Sequence, residues 1–305
     1  MNNFKDSKYA RNYGFFSEAE QQKIIESKVA IAGVGGDGFQ LGEKLARIGI
    51  SKFSVADPEI FEAENINRVT GAKQSTLGRK KVEVFKELIL DIQPDAEISI
   101  YTDGVNRENV NEFMQDSDLV IDESELTRLE IGTMISREAR QLHKPVLMVL
   151  NIGFAAIAST FDPESNHSFE KIMGIPKDMP LEEVSNMQID FSRCLPYIPA
   201  YGDVNSLIAV QESAPLPSIS QGVDVASALG STEAFLNLTQ SINNKRKKPT
   251  YIPSWRYMDS YSGRSGTIRH ARLSHYLGLF AMIGRMKLGL NPLASYSLEQ
   301  RKNRE

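Results

Sequence analysis

A glycine-rich loop between an apolar run and a helical pattern limits the folds that are open to this chain. The apolar run 29–32 leads directly into Gly33-Val34-Gly35-Gly36-Asp37-Gly38, and residues 39–48 have helical periodicity. Glycines at this spacing let the backbone turn tightly and approach a phosphate, and the N-terminus of the following helix offers free N–H groups. The residues expected to bind a nucleotide here are Gly33, Gly35, Gly36, Asp37 and Gly38.

Apolar runs that alternate with helical patterns continue through the first half of the chain. They lie at 29–32, 53–56, 98–101, 119–121 and 146–149. Strands that alternate with helices in this way form parallel sheets covered by helices on both faces. The sequence therefore predicts an α/β fold with a doubly wound, mainly parallel, Rossmann-like sheet, followed by an irregular crossover region and a C-terminal extension.

Changes in periodicity divide the chain into four regions. Residues 1–28 hold an N-terminal helix, and residues 29–161 form the nucleotide-binding, Rossmann-like region. Residues 162–220 contain many prolines and little periodicity, which is typical of a crossover or a lid. Helical periodicity returns in residues 221–305, which we expect to complete the fold.

The overall charge and the cysteine content argue against several classes of protein. A formal net charge of −4 gives no general attraction to nucleic acid, which is therefore not an expected partner. No run approaches the roughly 18 apolar residues that cross a bilayer, so we expect no membrane association and a cytoplasmic location. The single cysteine, Cys194, excludes an internal disulfide framework and a Cys-x-x-Cys zinc site.

The residues that follow the second apolar run favour ATP over NAD. Asp57 ends that run, where a carboxylate accepts hydrogen bonds from the ribose of either nucleotide. Asn65, Arg68 and Lys81 come next along the chain. A dehydrogenase does not need these polar and positive side chains. An enzyme that cleaves ATP at its α-phosphorus uses them to stabilise negative charge on the phosphoryl group and on the leaving pyrophosphate.

The same motifs, in the same order, resemble those of the ThiF/MoeB/HesA branch of the ubiquitin-activating-enzyme superfamily. The motifs that match are the glycine loop, Asp57 with Glu59, Asn65 with Arg68, Lys81 at a helix start, the strand end at Asp122, the run Gly230-Ser231-Thr232-Glu233-Ala234, and the N-terminal Arg11. The resemblance covers roughly residues 8–240. It implies attack of a carboxylate on the α-phosphorus of MgATP, which gives an acyl-adenylate and pyrophosphate.

The resemblance also implies which residues bind ATP. Asp57 would hold the ribose, and Glu59 belongs to the same ATP-binding segment. Asn65 would contact the phosphates, next to the N–H groups of the glycine loop. Together with the loop, these three residues form the ATP-binding set that we expect.

Three basic residues are implied as catalytic. Arg68 would contact the phosphates, and Lys81 would lie over the phosphate that is transferred or leaves. Family members insert an N-terminal arginine into the active site of a partner subunit, and Arg11 matches that arginine. The resemblance therefore implies a homodimer in which residues 1–28 include a dimer arm.

Three departures from the family pattern narrow these expectations. The strand end that usually reads Asp-x-x-Asp has Glu125 as its second acid, whose extra methylene moves the carboxylate by about 1.5 Å. We expect Asp122 and Glu125 to keep Mg²⁺ with a rearranged geometry. The zinc cysteines found in many members are absent, so no zinc is expected. Residues 213–218 contain no cysteine and Cys194 lies too early, so a thioester step is disfavoured.

These features predict an ATP-dependent adenylyltransferase that acts on the carboxylate of a peptide or small protein. The lack of zinc and cysteine resembles the enzymes that mature peptide antibiotics, such as those of microcin C-type and pantocin-type pathways. Three alternatives stay open: activation of the C-terminus of a ubiquitin-like sulfur carrier, dehydration of a tRNA nucleoside, and a non-catalytic nucleotide-binding scaffold. The glycine loop alone also allows an NAD-dependent dehydrogenase.

Overall fold

One mixed sheet of eight strands runs through the computed structural model, which describes residues 7–211, 216–269 and 272–293. The strands are β1 Lys28–Ala32, β2 Lys52–Ala56, β3 Glu97–Tyr101, β4 Leu119–Asp122, β5 Val146–Ile152, β6 Ala155–Phe161, β7 Ser254–Asp259 and β8 Arg264–Arg269. Their order in the sheet is β3-β2-β1-β4-β5-β6-β7-β8. The first five strands are parallel, and each of the last three is antiparallel to its neighbour.

Eleven α-helices are found in the described residues. They are α1 Glu18–Glu26, α2 Gly36–Ile48, α3 Lys81–Ile92, α4 Val110–Met114, α5 Leu129–Gln141, α6 Phe169–Met173, α7 Leu181–Val184, α8 Phe191–Cys194, α9 Val204–Gln211, α10 Ser220–Thr239 and α11 Arg272–Lys287. Because α2 and α3 follow β1 and β2 while α4 and α5 follow β3 and β4, the parallel half is built from βαβ units.

Each face of the sheet carries its own hydrophobic core, as the alternation along β1 shows. Val29 and Ile31 contribute to a core that includes side chains of α1, α2, α3 and α10. Ala30 and Ala32 contribute to a second core that includes side chains of α4 to α9 and α11. The predicted doubly wound sheet with helices on both faces is therefore confirmed.

The region 162–220 contains more regular structure than its sequence indicates. Four short helices, α6 to α9, lie within it and bury apolar side chains in the second core, among them Phe169, Val184 and Phe191. Helices of four to eight residues are too short for their periodicity to stand out in a sequence. Of the segment 213–218, residues 213–215 lie outside the described residues.

The run Gly230-Ser231-Thr232-Glu233-Ala234 lies in the middle of α10, where that helix packs against the sheet. A Cβ on Gly230 would lie 2.5 Å from Leu41 Cδ1 of α2 and 2.8 Å from Val149 Cγ2 of β5. Only a residue without a side chain lets α10 approach both elements this closely. The glycine therefore places the N-terminal end of α10 against the glycine loop, where Val223 Cγ2 would lie 2.9 Å from a Cβ on Gly36.

Cys194 is fully buried in the second core, and burial raises the pKa of its thiol. This environment is that of an apolar core residue, and it agrees with the expectation that no thioester forms on this cysteine. In the part of the chain that the structure describes, no helix has the length and apolar content needed to cross a membrane.

A buried carboxylate joins the N-terminal helix to the segment that follows α10. Glu20 closes a capping box with Ser17, whose backbone N–H donates to Glu20 Oε2 at 2.7 Å. The Arg246 guanidinium donates to both carboxylate oxygens of Glu20, at 2.7 and 2.8 Å. These hydrogen bonds lower the pKa of Glu20 to about 2.

We expect the Glu20 carboxylate to make the stability of the fold depend on pH below neutrality. A depressed pKa means that the unfolded chain takes up the proton first, so stability falls as pH drops from about 4.5 towards about 2. Glu20→Gln should remove this contribution and lower the free energy of unfolding at pH 7 by about 2 kcal/mol. Urea titrations over this pH range measure both effects. Glu18→Gln, at an exposed position of the same helix, is the control, and identical profiles for the two variants would contradict the assignment.

Candidate nucleotide-binding site

The glycine loop connects the end of β1 to the start of α2, and its backbone passes very close to two backbone carbonyl oxygens. Gly33 has φ of +92°, and a Cβ at this position would lie 2.2 Å from the carbonyl oxygen of Glu123. A Cβ on Gly38 would lie 2.1 Å from the carbonyl oxygen of Gly33. At Gly35, by contrast, a Cβ would have no atom within 4 Å apart from its chain neighbours. The loop thus leaves space in front of the N-terminus of α2, where a phosphate binds in sites of this kind.

Asp57 fixes the glycine loop to the end of β2. Its Oδ2 accepts a hydrogen bond from the backbone N–H of Val34 at 2.9 Å, and its Oδ1 accepts one from the N–H of Glu59 at 2.9 Å. Burial raises the pKa of the Asp57 carboxyl, while the charge of Lys81 opposes that shift. The ribose contact expected for Asp57 stays a prediction, and the structure shows that its carboxylate holds the loop.

Lys81 is the first residue of α3 and is buried, with 4% of its surface exposed. Its ammonium pairs with the carboxylate of Glu59, which is itself largely exposed. The backbone N–H of Lys81 donates to the carbonyl oxygen of Glu59 at 3.1 Å. The structure therefore brings together three of the residues singled out from the sequence, Asp57, Glu59 and Lys81, at the edge of the sheet where β1 and β2 end.

Asn65 and Arg68 lie on the turn between β2 and α3, on the same side of the sheet. Asn65 is buried, and its Oδ1 accepts a hydrogen bond from the N–H of Glu62 at 3.0 Å, which shapes the turn. Arg68 donates to the carbonyl oxygen of Glu64 at 2.9 Å, and its Cγ would lie 3.8 Å from a Cβ on Gly36. The Arg68 side chain is therefore placed beside the glycine loop.

Asp37 has an environment that sequence reasoning did not anticipate. Its Oδ2 accepts hydrogen bonds from the backbone N–H and the side-chain amide of Asn151, at 3.1 and 2.8 Å. Burial raises the pKa of Asp37 to about 7 and places the pKa of Glu123 well above its usual range, and the Asp37 charge adds to the second shift. Asp37 Oδ1, Glu123 Oε1 and Asn151 Oδ1 are buried without a hydrogen-bond partner among the described residues.

For the cluster of Asp37, Glu123 and Asn151, the only signals in the sequence are polar residues at the ends of apolar strands. Glu123 directly follows β4, and Asn151 interrupts the apolar run of β5. Because the ends of β1, β4 and β5 meet at one edge of the sheet, both side chains reach the glycine loop. Nothing in the sequence pairs Asn151 with Asp37, since 114 positions separate them.

The two acids expected to bind Mg²⁺ have different surroundings. Asp122 is buried at the end of β4, and its Oδ1 accepts hydrogen bonds from the N–H and the hydroxyl of Ser124. Glu125 is exposed, and its Oε1 accepts a hydrogen bond from the Thr127 hydroxyl at 2.8 Å. Within the described ranges, no three His, Cys, Asp or Glu side chains are grouped so that they could hold a metal. Mg²⁺ bound to ATP needs only one or two carboxylates besides the phosphates, so Glu125 fits this requirement better than Asp122.

Arg11 lies apart from the other residues singled out from the sequence. It belongs to the 3-10 turn Ala10–Asn12 and is exposed. The neighbouring Tyr9 accepts a hydrogen bond from Gln93 Nε2, and that amide also donates to the carbonyl oxygen of Ala46 near the end of α2. Because α2 has 13 residues and is therefore about 20 Å long, this end is far from the glycine loop of the same subunit.

The match to a known family covers nearly the whole chain. Residues 9–275 match the ThiF family. The chain belongs to this family. Similar curated ThiF-like proteins include the tRNA threonylcarbamoyladenosine dehydratase of Bacillus subtilis, 32% identical over 127 residues, which are 41% of this chain and 50% of that protein. The adenylyltransferase and sulfurtransferase UBA4 of Candida glabrata is 28% identical over 135 residues, 44% of this chain and 30% of that protein. The match thus spans half or less of either relative.

Solved structures with the same fold include MccB of E. coli and PaaA. MccB with ATP superimposes with a TM-score of 0.65 at 15% identity, over 89% of this chain and 73% of that one. PaaA superimposes with a TM-score of 0.60 at 16% identity, over 86% of this chain and 69% of that one. At these identities the likeness concerns the fold, and it confirms the Rossmann-like architecture of ThiF-type proteins.

The glycine loop should tolerate a side chain at Gly35 and not at Gly33. Gly33→Ala would combine a left-handed backbone with a collision at 2.2 Å, so we expect it to lower the free energy of unfolding by about 2 kcal/mol or more. Gly35→Ala, at the open helix cap, should cost about 1 kcal/mol or less. Urea denaturation measures both values, and equal losses in the two variants would show that the loop has a different conformation.

Proposed function

We propose that this chain is an ATP-dependent adenylyltransferase that activates a carboxylate on a peptide or small protein without a cysteine thioester. The observation that carries the proposal is the buried ammonium of Lys81 at the start of α3, beside Asp57 and Glu59. Hydride transfer to or from NAD makes no use of a positive charge at this place. Displacement at the α-phosphorus of ATP creates negative charge that such a group stabilises.

In the proposed reaction, a carboxylate oxygen of the substrate attacks the α-phosphorus of ATP. A new P–O bond forms, the bond from the α-phosphorus to the bridging oxygen breaks, and pyrophosphate leaves with the electron pair. The N–H groups at the start of α2 bind the phosphates, and Arg68 stabilises their charge from beside Gly36. Lys81 exchanges its pairing with Glu59 for the phosphate oxygens and stabilises the developing charge.

The proposed site also needs a metal ion and one residue of a second subunit. Mg²⁺ would neutralise charge on the phosphates, and we assign Glu125, supported by Asp122, as the carboxylates that would hold it. Arg11 would complete the site of a partner subunit, because the fold keeps it far from its own glycine loop. We therefore propose a homodimer in which each subunit supplies one arginine to the other.

The proposal of a peptide substrate rests on the fold and on the missing cysteine relay. MccB of E. coli, which shares the fold, has been solved with ATP and with MccA. A related structure with N-formylated MccA is described as that of a microcin C7 biosynthetic enzyme. In this chain the only cysteine is buried far from solvent, so an activated carboxylate would pass directly to a nucleophile of the substrate or of a partner protein.

ATP–pyrophosphate exchange tests the proposed reaction. Incorporation of labelled pyrophosphate into ATP should rise above background with one substrate class, and we expect short peptides to be that class. Lys81→Met should reduce exchange by about 100-fold or more, because it removes a charge that acts in the transition state. Background exchange with all peptides, with small proteins ending in Gly-Gly and with tRNA would contradict adenylation.

Lys80→Met is the matched control for this variant. Lys80 precedes Lys81, and its ammonium donates to two backbone carbonyl oxygens, that of Pro58 at 2.7 Å and that of Thr102 at 3.5 Å. We expect exchange within a few-fold of wild type for Lys80→Met. Equal losses in the two variants would mean that lysine removal acts through the fold and not through the reaction.

The names of the curated relatives favour a second candidate, dehydration of a carboxyl-bearing tRNA nucleoside. Four of these relatives, from Bacillus subtilis, Haemophilus influenzae, Saccharomyces cerevisiae and Escherichia coli, are tRNA threonylcarbamoyladenosine dehydratases. The same adenylation chemistry would serve that reaction, with the nucleoside carboxylate as the attacking group. Exchange that depends on tRNA and is absent with peptides would establish this candidate over the first one.

A further inference from the structure

A cavity at the opposite edge of the sheet from the glycine loop is lined by basic side chains that the proposed reaction does not use. It has a volume of about 620 Å³ and lies between the C-terminal half of α5 and the segment around α6. The charged residues that line it are Arg137, Arg140, Lys171, Lys177, Glu170 and Asp178. Four positive and two negative side chains give the lining an excess of positive charge, although the whole chain has a net charge of −4.

The position of α5 separates this cavity from the nucleotide site. α5 begins at Leu129, shortly after the end of β4 at the edge of the sheet that carries the glycine loop. Arg137 and Arg140 lie in its last two turns, and a helix of this length spans about 20 Å. The cavity is also lined by Ser165, Asn166 and Ser168, which follow the end of β6 at the opposite edge.

Neighbouring side chains use only part of the hydrogen-bonding capacity of the Arg137 guanidinium. Its Nε donates to Glu170 Oε1 at 3.1 Å. In the part of the chain that the structure describes, Arg137 Nη2 and Glu170 Oε2 are both buried without a hydrogen-bond partner. The Arg137 side chain nevertheless keeps 27% of its surface exposed, so the part of the guanidinium that faces the cavity can donate to an anion there.

The other basic residues fit the same role. Arg140 donates to the carbonyl oxygen of Ser165 at 2.8 Å through Nη1, which holds its guanidinium at the cavity wall. Lys171 and Lys177 are exposed at the rim, and the Lys171 ammonium donates to the carbonyl oxygen of Asn166 at 3.2 Å, a contact that an anion can replace. The acidic residue Asp178 also lies at the rim, and its backbone is left-handed with φ of +59°. Two guanidinium forks and two ammonium groups match the geometry and charge of phosphate oxygens.

We propose that this cavity is a second binding site, which takes a small molecule bearing one or more phosphate groups. Its volume is in the range of small-ligand sites, and a concave shape of this size suits a small anion better than an extended RNA backbone. The proposal is independent of the reaction assigned to the glycine loop. It uses no residue of the nucleotide site.

Calorimetric titration with inorganic pyrophosphate tests the second site, with the nucleotide site first saturated by the non-hydrolysable analogue α,β-methylene ATP. The wild-type chain should still bind one equivalent of pyrophosphate. Arg137→Gln should weaken that binding by about tenfold or more, because a charge-assisted hydrogen bond is lost. Glu170→Gln should strengthen it, since the neutral amide no longer competes with the anion for Arg137.

Two pairs of exposed lysines serve as matched variants, because substitutions of exposed side chains usually change stability little. The double variant Lys171→Gln/Lys177→Gln removes two exposed charges at the rim and should weaken pyrophosphate binding. The double variant Lys247→Gln/Lys248→Gln removes two exposed charges elsewhere and should bind as the wild type does. Absence of a second binding event, or equal affinity in all four variants, would overturn the proposal whether or not the chain adenylates a carboxylate.

Discussion

The hydrogen bond from the Val34 N–H to the Asp57 carboxylate, at 2.9 Å, holds the site together. It attaches the loop after β1 to the end of β2, and the N–H of Gly33 adds a second link by donating to the carbonyl oxygen of Ala56 at 2.7 Å. Because Asp57 also accepts a hydrogen bond from the N–H of Glu59, one carboxylate sets the positions of the glycine loop and of the acid that pairs with Lys81. The two halves of a nucleotide site are thereby fixed by one buried group.

Close contacts at the glycine loop and in α10 leave no room for side chains at three glycines. Gly33 and Gly38 approach carbonyl oxygens within distances that exclude a Cβ, and Gly230 brings α10 onto α2 and β5. The N-terminal part of α10 then closes one side of the glycine loop through Val223. The glycines of this chain therefore serve packing between elements as much as access for a ligand.

Local patterns were sufficient to predict the strands of the parallel half, the glycine loop and the helix that starts at Lys81, because each of these elements is formed by residues that are close in sequence. The pairing of Asp37 with Asn151 was beyond reach, since it joins residues 114 positions apart and requires the strand order to be known. Motif spacing also predicts Asp122 and Glu125 as a pair of Mg²⁺ ligands, although hydrogen bonds from Ser124 hold Asp122 in the protein interior. The sequence therefore predicts that these residues lie near one edge of the sheet, but it does not predict where each side chain points.

The pairing of Glu20 with Arg246 has a consequence for the order in which the chain assembles during synthesis. Glu20 is fully buried, and a buried carboxylate is strongly unfavourable until its guanidinium partner is present. The partner lies 226 residues further along, so α1 can take its final position only when most of the chain has left the ribosome. Helix α1 is therefore locked in place late, although it precedes the strands of the sheet in the sequence, and a nascent chain that stops before residue 246 leaves this part of the fold without its ion pair.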